Sequence, residues 1–439
     1  MHFHQKPTEK PTEKPTEKPT EKPTENDTDV FSQRRQRLAE RFTHTVFVVP
    51  SGVVSMRSHS VAYPFKSQSD FFYLTGLRAV SVAYLVVAGK HCHLLLPEIS
   101  SESKLWEGEG EFDLPKDLSI EPLSRLDELL AEYCKNFDRI AFPFGRHSEL
   151  DGLILRMGAY HRGRKAPHPL ALVDCRTLIG ILRLHKDETE IECLCEAGQR
   201  SSRVHRALMS KRLAGQREIE IANWIEASFL AEGMSWRAYG TIVGAGERTT
   251  ILHARATERM VKPNDLVLID AGGEWQGYCA DITRTLPANG KFSNEQRAVY
   301  EVVLKSQKAA ITSVRPGVSL EEVHLTAREN LMAGLRGLGM SASEIEEKIS
   351  ILQPHGTSHW IGLDVHDPAP VVDDAGRSIR LEPGMCLTVE PGLYFREPGL
   401  RFSGIGIRIE DDVLVTAQGH EILTSVPKEI SEIEELCSF

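Results

Sequence analysis

Four carboxylates and one imidazole in the second half of the chain are the residues best able to do chemistry together. They are Asp270, Asp281, His359, Glu390 and Glu410, in the segments DLVLIDAGG, GYCADITRT, HGTSHWIGLDVHD, LTVEPGLY and GIGIRIEDD. Carboxylates brought together repel each other, and one would take up a proton unless cations neutralise them. Oxygen-rich ligation with one nitrogen suits manganese, cobalt or magnesium better than a tetrahedral zinc site. Two such ions roughly 3.5–4 Å apart activate a water molecule and polarise a carbonyl group, which is hydrolase chemistry.

Any one of these acids alone is weak support for a site, because an isolated Asp or Glu at a strand end is usually only solvated. The segment 355–367 is different, since it mixes three histidines, two glycines and two acids with apolar residues. Clustered titratable groups of this kind mark functional sites more often than pure core. The combination therefore favours a metal site.

Alternating residues place these acids on strands. In the run IGIRIE, Ile407 and Ile409 share one face, while Arg408 and Glu410 share the other. The runs MCLTVE and DITRT alternate in the same way. We therefore expect a sheet with one side buried beneath helices and the carboxylates gathered on the opposite side.

Composition excludes several other classes of protein. The 439 residues suggest two or three domains, and 41% hydrophobic content is ordinary for a globular protein. A net charge of −10 argues against nucleic acid or an anionic membrane as a partner. The sequence has neither a long apolar run that predicts a transmembrane helix nor an apolar N-terminal signal peptide. Eight scattered cysteines are typical of reduced thiols, so the expected location is the cytoplasm.

The N-terminal part divides into a repeat and a domain. Residues 6–25 are five copies of Lys-Pro-Thr-Glu, in which proline forbids a helix, so residues 1–30 are predicted to be a disordered leader. In residues 31–175, the apolar runs VFVVP, AYLVVAG, CHLLLP, RIAFPF and ALVDC alternate with helical stretches such as 124–133. That alternation indicates an α/β domain.

Residues 176–187 are predicted to be a linker to a second domain, 188–439, that carries the acids. A long helix is expected to begin after the linker, with acids in its first turn as the helix dipole favours. Capping boxes predict two further helices, beginning at Ser293 and Ser319.

These segments resemble the "pita-bread" metallopeptidases, and among them most closely the Xaa-Pro aminopeptidase (aminopeptidase P) family of bacteria. The resemblance covers almost the whole chain after residue 30. Its further matching stretches are YPFKSQSDFFYLTG, ILRLHKDETEIE, TIVGAGERTTILH and DAGGEWQGYCADITRTLPANGKFS. It implies an α+β protein with a C-terminal pita-bread domain, similar to creatinase and the aminopeptidases, that is preceded by a smaller α/β domain.

The resemblance also implies two divalent metal ions, most commonly manganese, with cobalt or zinc as alternatives. Asp270 would bind one ion, Asp281 and Glu410 would bridge both, and His359 and Glu390 would complete the second. Glu390 would in addition pass a proton to the leaving proline nitrogen.

Further site residues follow from the same resemblance. His253 and His366 would face the substrate, and His366 would steady the developing oxyanion. His355 would lie beside the ligands or the substrate, and Arg408 would hydrogen-bond the ligand carboxylates. Tyr394 stands where the family has an active-site tyrosine that binds substrate.

Three functions are compatible with these residues. The first is an exopeptidase that removes an N-terminal residue preceding proline, and the second is a prolidase that accepts only Xaa-Pro dipeptides. The third is a pita-bread domain without metal that serves only as a binding module, although relatives of that kind lack several of the five ligands. The expected partners are a proline-containing peptide and further copies of the chain, as a dimer or tetramer.

Overall fold

The computed structural model describes residues 27–108, 113–161, 171–373, 375–399 and 401–438. The Lys-Pro-Thr-Glu repeats lie outside these residues, so their disorder stays a prediction. The predicted leader is too long at its C-terminal end, because the first helix already begins at Asp27. None of the described helices combines the length and the apolar character needed to span a membrane.

The N-terminal domain is built on one six-stranded sheet with the order β4-β3-β2-β1-β5-β6. Its elements are α1 (Asp27–Arg41), β1 (Thr45–Pro50), α2 (Ser69–Thr75), β2 (Tyr84–Ala88), β3 (His91–Leu96), α3 (Ser101–Glu107), β4 (Ser119–Pro122), α4 (Leu126–Tyr133), β5 (Arg139–Phe142), α5 (Ser148–His161) and β6 (Ala171–Asp174). All five strands predicted from apolar runs are present. The helix predicted at 124–133 begins with a single 3₁₀ turn, Leu123–Arg125.

The segment expected to be a linker is mainly helical, since Cys175–Arg183 forms helix α6. The side chain of Asp174 caps this helix by accepting a hydrogen bond from the backbone nitrogen of Arg176, at 3.0 Å. Ile179 is fully buried, and Arg183 forms ion pairs that tie the two domains together. The cap and the spacing of the apolar residues favour a helix locally, and the ion pairs of Arg183 hold it against both domains.

The C-terminal domain surrounds several small antiparallel sheets with helices. Its elements are α7 (Glu188–Met209), α8 (Glu218–Ala231), β7 (Trp236–Arg237), β8 (Ile242–Ala245), β9 (Leu266–Asp270), β10 (Gly273–Trp275), β11 (Tyr278–Cys279), β12 (Thr283–Pro287), α9 (Asn294–Ser313), α10 (Leu320–Gly337), α11 (Ala342–Leu352), β13 (Cys386–Val389), β14 (Gly392–Tyr394), β15 (Gly406–Arg408), β16 (Asp411–Thr416), β17 (Gly419–Ile422) and α12 (Ile430–Leu436). The sheets have the orders β12-β9-β8, β11-β10-β7, β13-β16-β17 and β14-β15.

Both predicted capping boxes are present. Ser293 caps α9 and Ser319 caps α10, each accepting from the backbone nitrogen three residues later. The long helix α7 has a capping box of its own at Asp187, with Glu188 and Glu190 in its first turn. These helices cover the sheets, since Ile407 and Ile409 are fully buried in the largest apolar cluster.

Candidate metal centre

A cleft of about 870 Å³ in the C-terminal domain contains all five predicted metal ligands. It is also lined by three of the four histidine and tyrosine residues expected at the substrate. These three are His253, His355 and His366, and Arg408 lines the cleft as well. Tyr394 is the exception, because it is completely buried behind the wall.

Two of the acids lie at facing strand ends. Asp270 is the last residue of β9 and pairs in register with Thr283, the first residue of β12. Asp281 precedes that strand by two residues, and its backbone nitrogen donates to Asp412 Oδ2 at 2.9 Å. The antiparallel pairing therefore returns the chain so that acids eleven positions apart face the same cleft.

Backbone hydrogen bonds bring His359 and Glu390 to the same place. The backbone nitrogen of Thr388 donates to the carbonyl oxygen of His359 at 3.0 Å. The backbone nitrogen of Glu390 donates to the carbonyl oxygen of Thr357 at 2.8 Å. His359 Nε2 then lies 3.5 Å from Asp281 Oδ2 and 3.6 Å from Glu390 Oε1. On the other side of the ring, Nδ1 lies 3.1 Å from the carbonyl oxygen of Trp360. Because a carbonyl only accepts, Nδ1 keeps its proton, and Nε2 is the nitrogen that faces the carboxylates and would bind a metal ion. Although burial opposes the shift, Asp281 and Glu390 raise the pKa of His359 to about 9, so Nε2 is protonated in the metal-free protein and a cation would displace that proton.

The donor set fits a cation centre. Ligand atoms of Asp281, His359 and Glu410 all lie within 4.8 Å of one another. Burial, together with the neighbouring carboxylates, raises the pKa of Glu410 well above its ordinary value. Burial also raises the pKa of Glu390, to about 7, although His359 and Arg408 oppose the shift. Without positive charge nearby, these carboxyl groups tend to keep their protons. A pair of divalent cations would stabilise their ionised forms.

Arg408 and Tyr239 hold the ligand carboxylates. Arg408 Nη2 donates to Asp270 Oδ2 at 2.5 Å. The hydroxyl of Tyr239 lies between two acids, 2.5 Å from Asp270 Oδ1 and 2.6 Å from Asp281 Oδ1. Thr283 Oγ1 donates to Glu410 Oε2 at 2.6 Å. Hydrogen-bond donors thus orient oxygens of Asp270, Asp281 and Glu410, as the outer partners of metal sites generally do.

A hydrogen-bonded chain links Arg408 to His355 through the buried tyrosine. Arg408 Nη1 donates to the hydroxyl of Tyr394 at 2.9 Å, and that hydroxyl lies 2.8 Å from His355 Nε2. His355 Nδ1 lies 2.7 Å from the carbonyl oxygen of Gly356, so it is the donor and Nε2 accepts. Burial, with the charge of Arg408, lowers the pKa of His355 to about 4, which keeps the ring neutral. Tyr394 therefore supports the cleft wall, which differs from the expectation that it contacts substrate.

The two remaining histidines, His253 and His366, line the cleft and are exposed. The rings of His366 and His359 meet edge to face, with centroids 4.4 Å apart. Burial, and then the charge on His359, lowers the pKa of His366. His253 lines the same cleft from the segment between β8 and β9.

Sequence reasoning missed Tyr239, Thr283 and Asp412. Tyr239 follows a two-residue strand and precedes β8, where no periodic pattern marks it. Thr283 alternates with Asp281 and so shares its face, which was a usable signal. Asp412 ends a run of three acids, Glu410 to Asp412, and each of the three is buried. Consecutive acids at the start of a strand were therefore a second sequence feature that could have identified a site residue.

Comparison with known families matches both domains. A family model for metallopeptidase family M24 matches residues 192–417. A model for the aminopeptidase P N-terminal domain matches residues 31–138. The two-domain α+β architecture expected from the sequence is thereby confirmed.

Individual relatives resemble the chain over nearly its full length. The Xaa-Pro aminopeptidase of Escherichia coli K12 is 35% identical over 433 residues, which cover 92% of this chain and 97% of the relative. The solved structure of Pseudomonas aeruginosa aminopeptidase PepP superposes with a TM-score of 0.86 at 33% identity, covering 94% of this chain and 98% of the other. That of Escherichia coli aminopeptidase P with the inhibitor Pro-Leu has a TM-score of 0.85 at 34% identity, covering 93% and 98%.

Proposed function

Because the chain belongs to metallopeptidase family M24, we propose that this metal-dependent peptidase removes the N-terminal residue of a peptide when proline is the second residue. The observation that carries the proposal is the convergence of Asp281, His359 and Glu410 on one point beside Asp270 and Glu390. The similarity to relatives named Xaa-Pro aminopeptidase, which extends through both domains, supports the choice of substrate.

The five residues would hold two divalent cations, with Asp281 and Glu410 shared between them. Manganese is the ion we propose, since four carboxylates and one imidazole form an oxygen-rich donor set. When bound, the cations would supply a nucleophile at neutral pH and polarise the scissile carbonyl. Tyr239, Thr283 and Arg408 would hold the ligand oxygens in place.

The remaining residues would bind the peptide and move its proton. Glu390, which lines the cleft beside the other ligands, would accept a proton and donate it to the leaving nitrogen. The bond before proline has no N–H, and the proline ring fixes the backbone. A site that acts on the carbonyl and protonates the imide nitrogen needs neither the N–H nor a freely extended chain. His366 and His253 would contact the substrate on either side, and His366 would stabilise the oxyanion.

A peptide panel tests this function. Purified protein with added manganese is expected to cleave Ala-Pro-Ala and longer peptides with proline second, and to spare the same peptides with alanine second. Efficient cleavage of the dipeptide Ala-Pro alone would instead establish the prolidase alternative. Parallel assays with cobalt and zinc would identify the preferred ion.

Metal analysis tests the site independently of turnover. The native protein is expected to retain close to two ions and Asp281→Asn to lose metal, whereas Asp127→Asn, on an exposed face of α4, retains it. Equal metal contents in native protein and Asp281→Asn, with both stably folded, would contradict the site.

Several further properties are proposed on sequence grounds. The chain would act in the cytoplasm as a homodimer or homotetramer. Its domains would run from 31 to 175 and from 188 to 439, with helix α6 inside the junction. Sedimentation and limited proteolysis would test the subunit count and the boundary.

A further inference from the structure

One arginine in the wall of the cleft has no charged partner of its own. Arg237 and Arg408, which line the same cleft, pair with Glu226 and Asp270. The side chain of Arg255 also lines the cleft and is exposed. It forms no hydrogen bond or ion pair with the residues that the structure describes. A guanidinium group presents a rigid fork of donors that matches a carboxylate.

The sheet register fixes how far Arg255 lies from the metal ligands. Ile242 in β8 pairs with Asp270 in β9, and an isolated bridge joins Ile242 to Arg255 on its other side. Residues paired across strands carry their side chains on the same face, and all three of these line the cleft. Neighbouring strands are about 4.8 Å apart, so the backbone of Arg255 lies about 10 Å from that of Asp270.

That separation matches the length of a short peptide. An extended chain advances about 3.5 Å per residue, so two residues beyond the scissile carbonyl span about 7 Å. With the carbonyl held beside Asp270, a carboxylate one or two residues away would be within reach of the long side chain of Arg255.

The surroundings of Arg255 form a wall for an amino-acid residue. Ile219 and Ala222, from one face of α8, line the cleft together with Ala256. The backbone nitrogen of Ile219 donates to the carbonyl oxygen of Thr257 at 3.0 Å, which ties this helix to the segment carrying Arg255. Asn223 and Glu226 of α8 line the cleft too, but Glu226 is already paired with Arg237. Apolar surface next to one guanidinium group that is unpaired among the described residues suits a residue with an apolar body and a carboxylate.

We propose that Arg255 determines specificity by binding a carboxylate of the peptide substrate, an inference that rests on the peptidase function proposed above. The carboxylate is either the C-terminal group of a tripeptide or the acidic side chain of a residue next to proline. The protein therefore prefers short or acidic peptides over neutral, blocked ones.

Four peptides separate these sources: Ala-Pro-Ala, its C-terminal amide, Ala-Pro-Glu amide and Glu-Pro-Ala amide. The KM of the favoured acid is expected to lie about tenfold below that of the neutral amide, as one charge-assisted contact implies. Arg255→Gln is expected to bring the KM of the favoured acid to within about twofold of the KM of the neutral amide, while Arg255→Lys keeps part of the preference. Arg336→Gln, an equal loss of charge at an exposed site outside the cleft, is the control.

An Arg255→Gln variant that keeps the preference, or a native protein without one, would overturn the role of Arg255. A second measurement does not depend on turnover: calorimetric binding of Pro-Leu and Pro-Leu amide to the metal-loaded protein. If the native protein cleaves none of the four peptides, the proposed peptidase function fails. The role of Arg255 is then decided by whether Arg255→Gln loses discrimination between the dipeptide and its amide.

Discussion

Single hydroxyl groups position the charged residues of this cleft. Tyr239 lies between two ligand carboxylates, and Tyr394 connects Arg408 to the neutral ring of His355. Burial raises the pKa of Tyr394 to about 12, so the phenol keeps its proton and can donate to His355 while accepting from Arg408. The support for the metal centre is therefore a set of directed hydrogen bonds as well as a set of charges.

We predict that Tyr394→Phe lowers kcat about tenfold, because losing one such bond is worth roughly 1.4 kcal/mol. The change leaves a donor of Arg408 and the acceptor of His355 unpaired while the aromatic ring stays in place. Peptidase assays would measure the effect, with thermal unfolding to follow stability.

Tyr300→Phe is the matched control for this substitution. Tyr300 is also completely buried, and its hydroxyl donates to the carbonyl oxygen of Lys428 at 3.0 Å, away from the cleft. We expect this variant to lose about 1 kcal/mol of stability and to keep its activity. Equal activity in both variants would contradict a positioning role for Tyr394.

The raised pKa of Glu390 predicts how metal binding depends on pH. With a pKa of about 7, this carboxyl keeps its proton at pH 6 in the metal-free protein, and binding a cation must release it. Metal affinity should therefore rise from pH 6 to pH 8. Calorimetry in buffers of different ionisation enthalpy would count the protons released, and heats independent of the buffer would contradict the prediction.

The carboxyl group of Glu390 also links metal binding to the stability of the folded protein. Its pKa in the folded, metal-free protein exceeds the unfolded value of about 4.3, so its ionisation destabilises that form as the pH rises towards 7. A bound cation removes this cost. The difference in Tm between metal-loaded and metal-free protein should thus be larger at pH 8 than at pH 6.

The site depends on a close approach between the backbone just after β9 and the backbone just before β12. A Cβ atom on Gly272 would lie 1.7 Å from the carbonyl oxygen of Ala280. This glycine follows Asp270 by two residues, and Ala280 immediately precedes Asp281. The absence of a side chain there lets the backbones that carry both acids approach each other.

Gly272→Ala is therefore expected to force the two backbone segments apart, with loss of metal binding and a markedly lower Tm. Gly337→Ala is the control, because a Cβ atom at that position in α10 meets nothing within 4 Å. The control should be neutral or gain up to about 1 kcal/mol, as alanine favours a helix. A Gly272→Ala protein with normal metal content would contradict the argument from close approach.

Ion pairs of one buried arginine, Arg183, join the two domains next to the cleft. Arg183 on α6 donates to Asp70 Oδ1 of the N-terminal domain and to Asp364 Oδ2 of the C-terminal domain, both at 2.7 Å. It also bonds Asp367. Because Asp364 and Asp367 flank His366, the domain junction fixes the loop that carries this histidine.

We predict that Arg183→Met destabilises the protein by about 3–5 kcal/mol, because it leaves the largely buried carboxylate of Asp70 without a cationic partner and removes one of the two partners of Asp367. Activity should fall as well, since the loop that carries His366 loses its anchor. Arg380→Met breaks an exposed ion pair with Glu322 and should cost less than about 1 kcal/mol without loss of activity. Chemical denaturation and peptidase assays would compare the two variants.

Local sequence patterns were sufficient for much of this fold. Apolar runs predicted the strands of the N-terminal sheet, and capping boxes predicted where α9 and α10 begin, because both signals act over a few residues. The alternation around Ile407 and Ile409 predicted which side of that strand is buried. The roles of all five candidate ligands were predicted by position from the resemblance to known peptidases.

Other features were decided only by tertiary structure. Helix α6 was missed although its Asp174 cap and the helical spacing of its apolar residues are local patterns that mark it, but the contacts of Arg183 with both domains are encoded by no local pattern. Tyr239 and Tyr394 acquire their roles from partners far away in the sequence. A sequence records which groups can ionise or donate, but distances between segments remote along the chain exist only after the strands have paired.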